Sequence, residues 1–392
     1  LCSFSSTARA ALYFIRFCFH YRCLAKMGRP PRGNGVGDPN CRERFGMVAR
    51  ESGKSFTAQF SCIWKIYMSG STSNVQIEPS LSICIVSWNT RKILCDCLSS
   101  IFEDPASTGW EVLVVDNNSI DGSTDMVRNR FPKVELICNS ENVGFSKANN
   151  LAMERAHGRH LLLLNSDTIV DSGSLEYLVD YLDTDTAVGA IGPRLVNPDG
   201  SLQLSCGRNP SLYAEVVHKL LLHRVFPFFK FGTWNHRERR RVGWVTGACL
   251  MVRREAAIET GFLDPNMFMC FEDLDWCMRL RKNGWEIVYD PSSRVVHLDG
   301  QSIRKNLTEM LIVSQQSLYY LFEKHFQRGH LHTLRVFTVI EMLLRTLVWS
   351  FSTLLFVTHR NEGWARLRAY RRILQRTIFD RSYWSPASTR DH

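Results

Sequence analysis

The sequence contains no pair of cysteines separated by two residues, although 13 of its 392 residues are cysteine. Disulfide frameworks and structural zinc sites are built on recurrent short cysteine spacings, so this absence argues against both. Cys84, Cys138 and Cys249 lie instead in apolar, strand-like runs. We therefore expect free thiols that pack as small core residues in a reducing cytoplasm.

Glycine-rich phosphate loops are also missing. No GxGxxG follows the first predicted strand, which disfavours a dinucleotide-binding protein. The stretch GMVARESGKS (46–55) ends like a nucleotide-binding loop, but Val48 stands where such a loop requires its first glycine.

No hydrophobic run is long enough to cross a bilayer. The most apolar segment, residues 333–358, includes Arg335, Glu341 and Arg345, and the uncharged run after Arg345 is shorter than the about 20 residues that a spanning helix needs. Three interpretations remain open: a helix packed against the protein core, a helix in the membrane interface next to the basic stretch RLRAYRRILQR, and a membrane span, which the short uncharged run disfavours. We expect a cytoplasmic protein, peripheral at the inner face of the cell membrane.

Positive charge is in excess, with a net charge of +10 at pH 7. Much of it lies in residues 235–241 and 360–376. The arginine–aromatic pattern of a nucleic-acid-binding module is absent. The expected partners are therefore a lipid surface or a phosphorylated substrate, and no nucleic acid.

Residues 1–67 lack a steady periodicity, and the chain begins with leucine. We expect this segment to be upstream sequence translated in error, with the true start at Met68, and we expect residues 1–75 as a whole to be an N-terminal extension that is not native or is disordered. The pattern then changes, which predicts one domain over residues 80–300 and a helical region over residues 301–392, with contact to the membrane left open.

Short apolar runs alternate with helical patterns after residue 80. Four runs have the length and composition of strands buried on both faces: LSICIVS (81–87), WEVLVVD (110–116), KVELIC (133–138) and HLLLL (160–164). Because this is the spacing of βαβ units, the sequence predicts a parallel sheet covered by helices on both faces.

Polar residues follow three of these strands, where ligands bind in open parallel sheets. They are Ser87 and Asn89, Asp116 and Asn117, and Asn165, Ser166 and Asp167. We expect these side chains to share one rim of the sheet.

Six blocks of the chain resemble glycosyltransferase family 2, and its rhamnosyltransferase-like members in particular. The blocks are SICIVSWNTRKILCDCLSSI, VLVVDNNSIDGSTDMV, ENVGFSKANNLAM, LLLLNSDT, GWVTGACLMVRREAAIETGFLDPNMFMCFEDLDWCMRLRKNGWEIVY and VVHLDGQS. The resemblance covers roughly residues 80–320 and implies the GT-A fold, an α/β architecture with a mostly parallel central sheet, here with a C-terminal helical extension.

The resemblance also implies an activity, the inverting, metal-dependent transfer of a sugar such as rhamnose in cell-surface polysaccharide synthesis. The donor would be a dTDP- or UDP-sugar, and the acceptor a glycan or a lipid-linked glycan. A divalent cation, Mn²⁺ or Mg²⁺, would be held by Asp167 and by His297. Asn165 stands where the family motif has its first aspartate, which removes one anionic ligand.

Two further sets of residues take their roles from the resemblance. Asp273 in FEDLDW would be the general base, with Glu272 as its positioning partner. Residues expected to bind the nucleotide-sugar or shape its cleft are Ser87, Asn89, Asp116, Asn117, Asn149, Asn165, Ser166, Trp244 and Gly247.

Simpler interpretations stay open at several of these positions. Asp167 and the Asp116–Asn117 pair also suit turns, and Glu272 and Asp273 suit the N-terminus of a helix. Two other functions remain: a non-catalytic nucleotide-sugar-binding or scaffold protein, and a nucleotidyltransferase of the same fold. The latter would need a glycine-rich basic loop where WNTRKI stands.

Overall fold

The structure is a computed structural model that describes residues 78–220, 222, 234–298, 306–355 and 360–380. The chain divides after Gln76, and every described residue lies in the unit Ile77–His392. The predicted N-terminal extension and the phosphate-loop-like stretch therefore lie outside the described residues.

The predicted alternation of strands and helices is present from residue 81 onwards. The strands are β1 (Leu81–Ser87), β2 (Trp110–Asp116), β3 (Glu135–Cys138), β4 (His160–Asn165), β5 (Thr168–Val170), β6 (Val188–Val196), β7 (Leu202–Gln203), β8 (Cys206–Gly207), β9 (Arg240–Arg241), β10 (Trp244–Val245), β11 (Cys249–Arg253) and β12 (Glu286–His297). The helices are α1 (Arg91–Phe102), α2 (Ser123–Arg130), α3 (Phe145–Arg155), α4 (Ser174–Thr184), α5 (Leu212–Lys219), α6 (Arg254–Thr260), α7 (Glu272–Lys282), α8 (Leu307–His325), α9 (Arg328–Leu355) and α10 (Arg360–Phe379), with a 3₁₀ turn at Pro105–Gly109.

The central sheet has the strand order β3-β2-β1-β4-β11-β6-β12-β5, with β7 paired to β6 and β9 to β12. The first four strands are parallel, as predicted. The prediction of a mostly parallel sheet is confirmed, because β6 and β12 also pair in parallel. Within this sheet β11 runs antiparallel to both β4 and β6, a direction that the hydrophobic pattern did not reveal. The chain enters β11 from β10, which pairs antiparallel with β8.

Apolar residues fill both faces of the sheet. Along β1 the side chains of Ile83 and Ile85 join one core with Leu94 and Leu98 of α1, while Cys84 joins the other. The second core contains Trp276 and Leu280 of α7. Helices thus cover both faces, which is why the buried strands contain near-continuous apolar runs.

The predicted C-terminal helical region consists of α8, α9 and α10, which share a third core around Tyr319, Phe322 and Tyr370. The segment 333–358 lies mostly in α9, whose inner face contributes Leu334 and Met342 to that core. Within the described residues, no helix combines the length and the apolar character that crossing a membrane requires.

Candidate active site

The carboxyl ends of the parallel strands meet at one rim, as the sequence predicts. In the strand register Ser87 lies opposite Asp116, and Val86 lies opposite Asn165. Polar residues that are far apart in sequence thus become neighbours because three adjacent strands end together.

The eight cysteines that lie in the described ranges are all free.

Asp116 has one engaged and one free carboxylate oxygen. Its Oδ2 accepts the backbone N–H of Ser119 at 2.8 Å, which closes an Asx turn. Its Oδ1 is buried and has no hydrogen-bond partner among the described residues. A buried, unpaired acceptor costs about 1–3 kcal/mol, so a ligand that donates a hydrogen bond here would stabilise the site.

Other residues of this rim shape its loops. Asn117 Nδ2 donates to Gly144 O at 3.2 Å, and Asn117 Oδ1 accepts from Asn139 Nδ2 at 2.8 Å. Asn89 has a φ of 54° and accepts the N–H of Ile120 at 2.9 Å. These side chains connect the loops that follow β1, β2 and β3.

Asn149 and Ser87 also make local contacts. Asn149 is buried in α3, where its Nδ2 donates to Phe145 O at 3.0 Å. The Ser87 hydroxyl lies 2.9 Å from that of Thr90, which lies 3.3 Å from that of Ser166. These three hydroxyl groups thus connect the end of β1 with the loop after β4.

Asp167 and His297 face each other across the β5–β12 pair. Thr168 pairs with His297, and the N–H of Leu298 donates to Asp167 O at 2.9 Å. His297 Nε2 consequently lies 3.1 Å from Asp167 Oδ1. The same nitrogen lies 3.2 Å from Asn165 Nδ2.

Gln203 on β7 orients the His297 ring, and the sequence analysis missed it. His297 Nδ1 lies 2.8 Å from Gln203 Oε1, a contact in which Nδ1–H donates to the amide oxygen. This contact fixes the orientation of the ring, so that Nε2 is the nitrogen nearest to Asp167 and Asn165. The turn-forming residues 197–200 are the one feature of the sequence that indicates how β7 folds back onto the end of β6.

Asp167 and His297 are two donors that a divalent cation could use. They offer one carboxylate oxygen and one imidazole nitrogen, 3.1 Å apart. Throughout the described ranges, no group of three His, Cys, Asp or Glu side chains is arranged to hold a metal ion. Any cation here would therefore take its remaining ligands from water or a bound diphosphate.

Asp273 is held at the start of α7. Its Oδ2 accepts the N–H of Gly247 at 2.7 Å, and its Oδ1 accepts the N–H of Leu274 at 2.7 Å. The helix begins after Cys270 and Phe271, two non-glycine residues with φ of 69° and 66°. Such left-handed residues are strained and persist where the surrounding structure fixes them, which is common at active sites.

Glu272 and Asp273 compete for protons. Burial, followed by the neighbouring charge of Asp273, raises the pKa of Glu272. Burial also raises the pKa of Asp273, although the hydrogen bonds from Gly247, Leu274 and Thr246 oppose this. Since Glu272 Oε2 has no partner in the described residues, Glu272 holds the proton while Asp273 ionises first. Both raised pKa values make the folded state lose stability as the pH rises from about 4 through the folded pKa values.

Backbone contacts connect the end of β4, near Asp167, with the start of α7, which carries Asp273. The N–H of Asn165 donates to Ala248 O at 3.0 Å, and Ala248 follows the Gly247 that binds Asp273. Asp167 lies two residues beyond Asn165. Through these contacts the start of α7, which carries Asp273, is joined to the end of β4, two residues before Asp167.

Gly247 lies beside Asp273, while Trp244 packs on Gly207 of β8. The Trp244 indole packs on Gly207, where an added Cβ would lie 2.9 Å from Nε1. At Gly247 an added Cβ would lie 3.5 Å from Asp273 Cβ, which is ordinary contact. Glycine at 247 therefore leaves a methyl-sized space beside the carboxylate.

Asp275 anchors α7 to α8, a contact that sequence spacing gave no means to find. It is fully buried and binds Arg279 at 2.8 Å, Lys324 at 2.8 Å and His325 at 2.6 Å. Burial alone would raise the pKa of Asp275, but the hydrogen bond from His325 and the charges of Arg279 and Lys324 lower it to about 2.

Replacing Asp275 with asparagine is expected to destabilise the protein by about 1.5–3 kcal/mol, because it removes the charge of a buried carboxylate that three partly exposed basic side chains bind. Since the folded pKa lies below the unfolded one, this contribution is present above about pH 4 and is lost as the pH falls towards 2. Urea unfolding at pH 7 measures the difference. Asp180→Asn, at an exposed position of α4, should change stability little, and equal stability of the two variants would contradict the anchor.

The sequence is similar to known glycosyltransferases. The sequence model of glycosyl transferase family 2 matches residues 82–261. The N-acetylglucosaminyl-diphospho-decaprenol L-rhamnosyltransferase of Mycobacterium tuberculosis is 32% identical over 248 residues, 58% of this chain and 78% of that protein. The O-antigen biosynthesis protein RfbC of Myxococcus xanthus is 27% identical over 59% of this chain and 18% of its own.

Among solved structures, a mannosyltransferase from Pyrobaculum calidifontis, in complex with GDP-Man and Mn²⁺, aligns with a TM-score of 0.48 and 18% identity over 78% of this chain and 89% of its own. The family match and the order of strands and helices confirm the predicted GT-A fold. The chain belongs to glycosyltransferase family 2 and, within it, to the rhamnosyltransferase-like proteins.

Proposed function

We propose that this glycosyltransferase moves a sugar, with rhamnose the first candidate, from a nucleoside diphosphate to a hydroxyl of a glycan or lipid-linked acceptor, with inversion at the anomeric carbon. The family membership and the name of the mycobacterial relative support this substrate class. The observation that carries the proposal is the hydrogen bond between Gly247 and Asp273, because it holds a partly exposed carboxylate next to the strand end that leads to Asp167.

Asp273 acts as the general base in this proposal. An inverting transfer needs a group that takes the proton of the acceptor hydroxyl while its oxygen attacks the anomeric carbon. The two backbone N–H groups fix the carboxylate and favour its charged form. Glu272, protonated and buried beneath it, leaves the negative charge on Asp273.

Asp167 Oδ1 and His297 Nε2 would hold the Mn²⁺ or Mg²⁺. When bound, the cation neutralises negative charge on the departing diphosphate. Asn165 contributes an amide where a second carboxylate would add charge, and its Nδ2 lies beside the same histidine.

Donor recognition is assigned to the rim of β1 and β2. The free Oδ1 of Asp116 accepts a hydrogen bond from the ribose or from the N–H of a pyrimidine base. Ser87, Asn89, Asn117, Asn149 and Ser166 shape that pocket through the contacts described above. Trp244 and Gly247 line the side from which the acceptor approaches.

A thermal-shift panel of dTDP-, UDP- and GDP-sugars, with and without Mn²⁺, tests the proposal. Ligands that bind only the folded state raise the melting temperature. We expect stabilisation by a pyrimidine nucleotide, and a larger one when Mn²⁺ is present. No stabilisation by any of the panel would count against the donor class.

Replacing Gln203 with leucine is expected to weaken Mn²⁺ binding about 10- to 100-fold, the usual effect of losing the partner that orients a metal-binding histidine. Calorimetric titration of Mn²⁺ in the presence of dTDP measures it. Gln203→Glu keeps an acceptor for Nδ1–H and should retain most of the affinity. Equal affinity of wild type and the leucine variant would show that Gln203 does not act through His297.

A further inference from the structure

The outward face of α9 is apolar from Val336 to Leu354. Seven large apolar side chains on it are exposed, from 36% for Leu344 to 77% for Leu354. They are Val336, Leu343, Leu344, Leu347, Val348, Phe351 and Leu354. Their separations of three, four and seven residues place them along one side of the helix, over about 27 Å.

Arg335, Glu341 and Arg345 are the charged residues of α9 after its exposed first residue, and they lie on the inner side of the helix. Glu341 is buried and binds Lys219 of α5 at 2.9 Å and Arg345 at 2.8 Å. Arg335 Nη2 lies 3.5 Å from Thr377 O of α10. Arg335, Glu341 and Arg345 interrupt the hydrophobic run in the sequence, but they do not lie on the outward face. That face is therefore uncharged from Val336 to Leu354.

Helix α10 adds a basic and aromatic surface next to this face. It packs against α9 where Arg366 lies 4.6 Å from the centre of the Trp349 ring and where Gly363 approaches Thr353. Its own outward side presents Trp364, which is 57% exposed, together with Arg368 and Arg371. Trp364, Arg371 and Ile378 follow one another at intervals of two helical turns.

We propose that the outward faces of α9 and α10 form a docking surface for a membrane that contains anionic lipids. An exposed, uncharged apolar face of this length is unusual on a monomeric protein and marks an interaction site. The neighbouring arginines complement anionic headgroups, and an exposed tryptophan suits the interface between headgroups and acyl chains. A second copy of the chain would instead bring like charges together at this surface.

The docking is independent of the proposed reaction, because it needs neither donor nor acceptor. It deepens the proposed function in one respect. The anchor between Asp275 and α8 connects the helical region to the helix that begins with the general base. A docked protein would therefore hold its active site near lipid-linked acceptors.

Sedimentation of the full chain with lipid vesicles tests the docking surface. Wild-type protein is expected to bind vesicles of phosphatidylcholine mixed with phosphatidylglycerol, and to bind phosphatidylcholine alone more weakly. The double variant Leu347→Glu and Phe351→Glu should reduce partitioning into the mixed vesicles by at least about 100-fold, since each buried apolar side chain contributes at least about tenfold. Arg368→Glu with Arg371→Glu should remove most of the preference for the anionic vesicles, about fivefold for each arginine.

Ile258→Glu is the matched control, because Ile258 is an exposed apolar residue of α6, outside the docking surface. It should bind vesicles as the wild type does. Unchanged binding by the α9 variant, or no vesicle binding by the wild type, would overturn the proposal. So would a wild-type dimer that the α9 variant converts to a monomer, because the face would then be a self-interface. Stabilisation by dTDP-sugars, measured on the same samples, shows separately whether the proposed function holds.

Discussion

Replacing Asp273 with asparagine is expected to lower kcat by about 10²- to 10⁴-fold, the range that a positioned general base contributes. The amide keeps the size of the side chain, and its oxygen can still accept the N–H of Gly247. It cannot take a proton from the acceptor hydroxyl. Donor binding should hardly change, so the loss should appear in kcat and not in the KM for the donor. Nucleoside diphosphate release in the presence of acceptor measures both.

Two further variants separate chemistry from folding. Asp180→Asn removes an exposed acid of α4 and should keep full activity. Glu272→Gln mimics the protonated side chain beneath the base, so a smaller loss than for Asp273→Asn is expected. Turnover by Asp273→Asn equal to that of the wild type would favour a protein that binds nucleotide-sugars without this base.

The pH profile gives the same assignment a second test. A base works only after it has lost its proton, so kcat/KM should rise with pH. The buried surroundings raise the pKa of Asp273, which moves this rise above the about 3.9 of a free aspartate. The rising limb should vanish in Asp273→Asn.

Replacing Asp167 with asparagine is expected to remove most of the stabilisation that a dTDP-sugar gives in the presence of Mn²⁺. With ligand at about 100 times its Kd, binding contributes about 2.7 kcal/mol to the free energy of unfolding. That corresponds to a rise in Tm of about 5–10 °C for a domain of this size. Asparagine loses the anionic oxygen that faces His297 Nε2, so the cation-dependent part of this rise should disappear.

Asp171→Asn is the matched control for Asp167→Asn. Asp171 is also an acid of the segment after β4, but it pairs with Arg294 at 2.5 Å at the surface. Its loss should leave the Mn²⁺-dependent rise in Tm intact. If Asp167→Asn retained the full rise as well, the cation would not bind at Asp167.

The strands and their common rim could be predicted because local pattern determines them. Leu161–Leu164 has to lie between two layers of helices, and the carboxyl ends of parallel strands have to meet, so the place of Asn165 and Asp167 follows from the sequence. The antiparallel direction of β11 could not be predicted in this way. Hydrophobic runs carry no strand direction, and the chain enters β11 from β10, which pairs antiparallel with β8.

The other features that the sequence did not reveal depend on contacts between residues that are far apart in the chain. Gln203 reaches His297 only because β7 folds back on β6, and no spacing relates positions 203 and 297. The contacts of Asp275 with Lys324 and His325 join α7 to α8, and no sequence spacing relates these positions either. In α9 the sequence shows Arg335, Glu341 and Arg345 as breaks in an apolar run, and only the packing shows that they face inward.

The most direct test of the active site is anomalous scattering from a crystal grown with Mn²⁺ and dTDP. The proposed function predicts one manganese peak within coordination distance of Asp167 Oδ1 and His297 Nε2, touching the diphosphate, with the open side of the sugar site towards Asp273. A bound nucleotide with no manganese at that pair, or with manganese at another place, would contradict it.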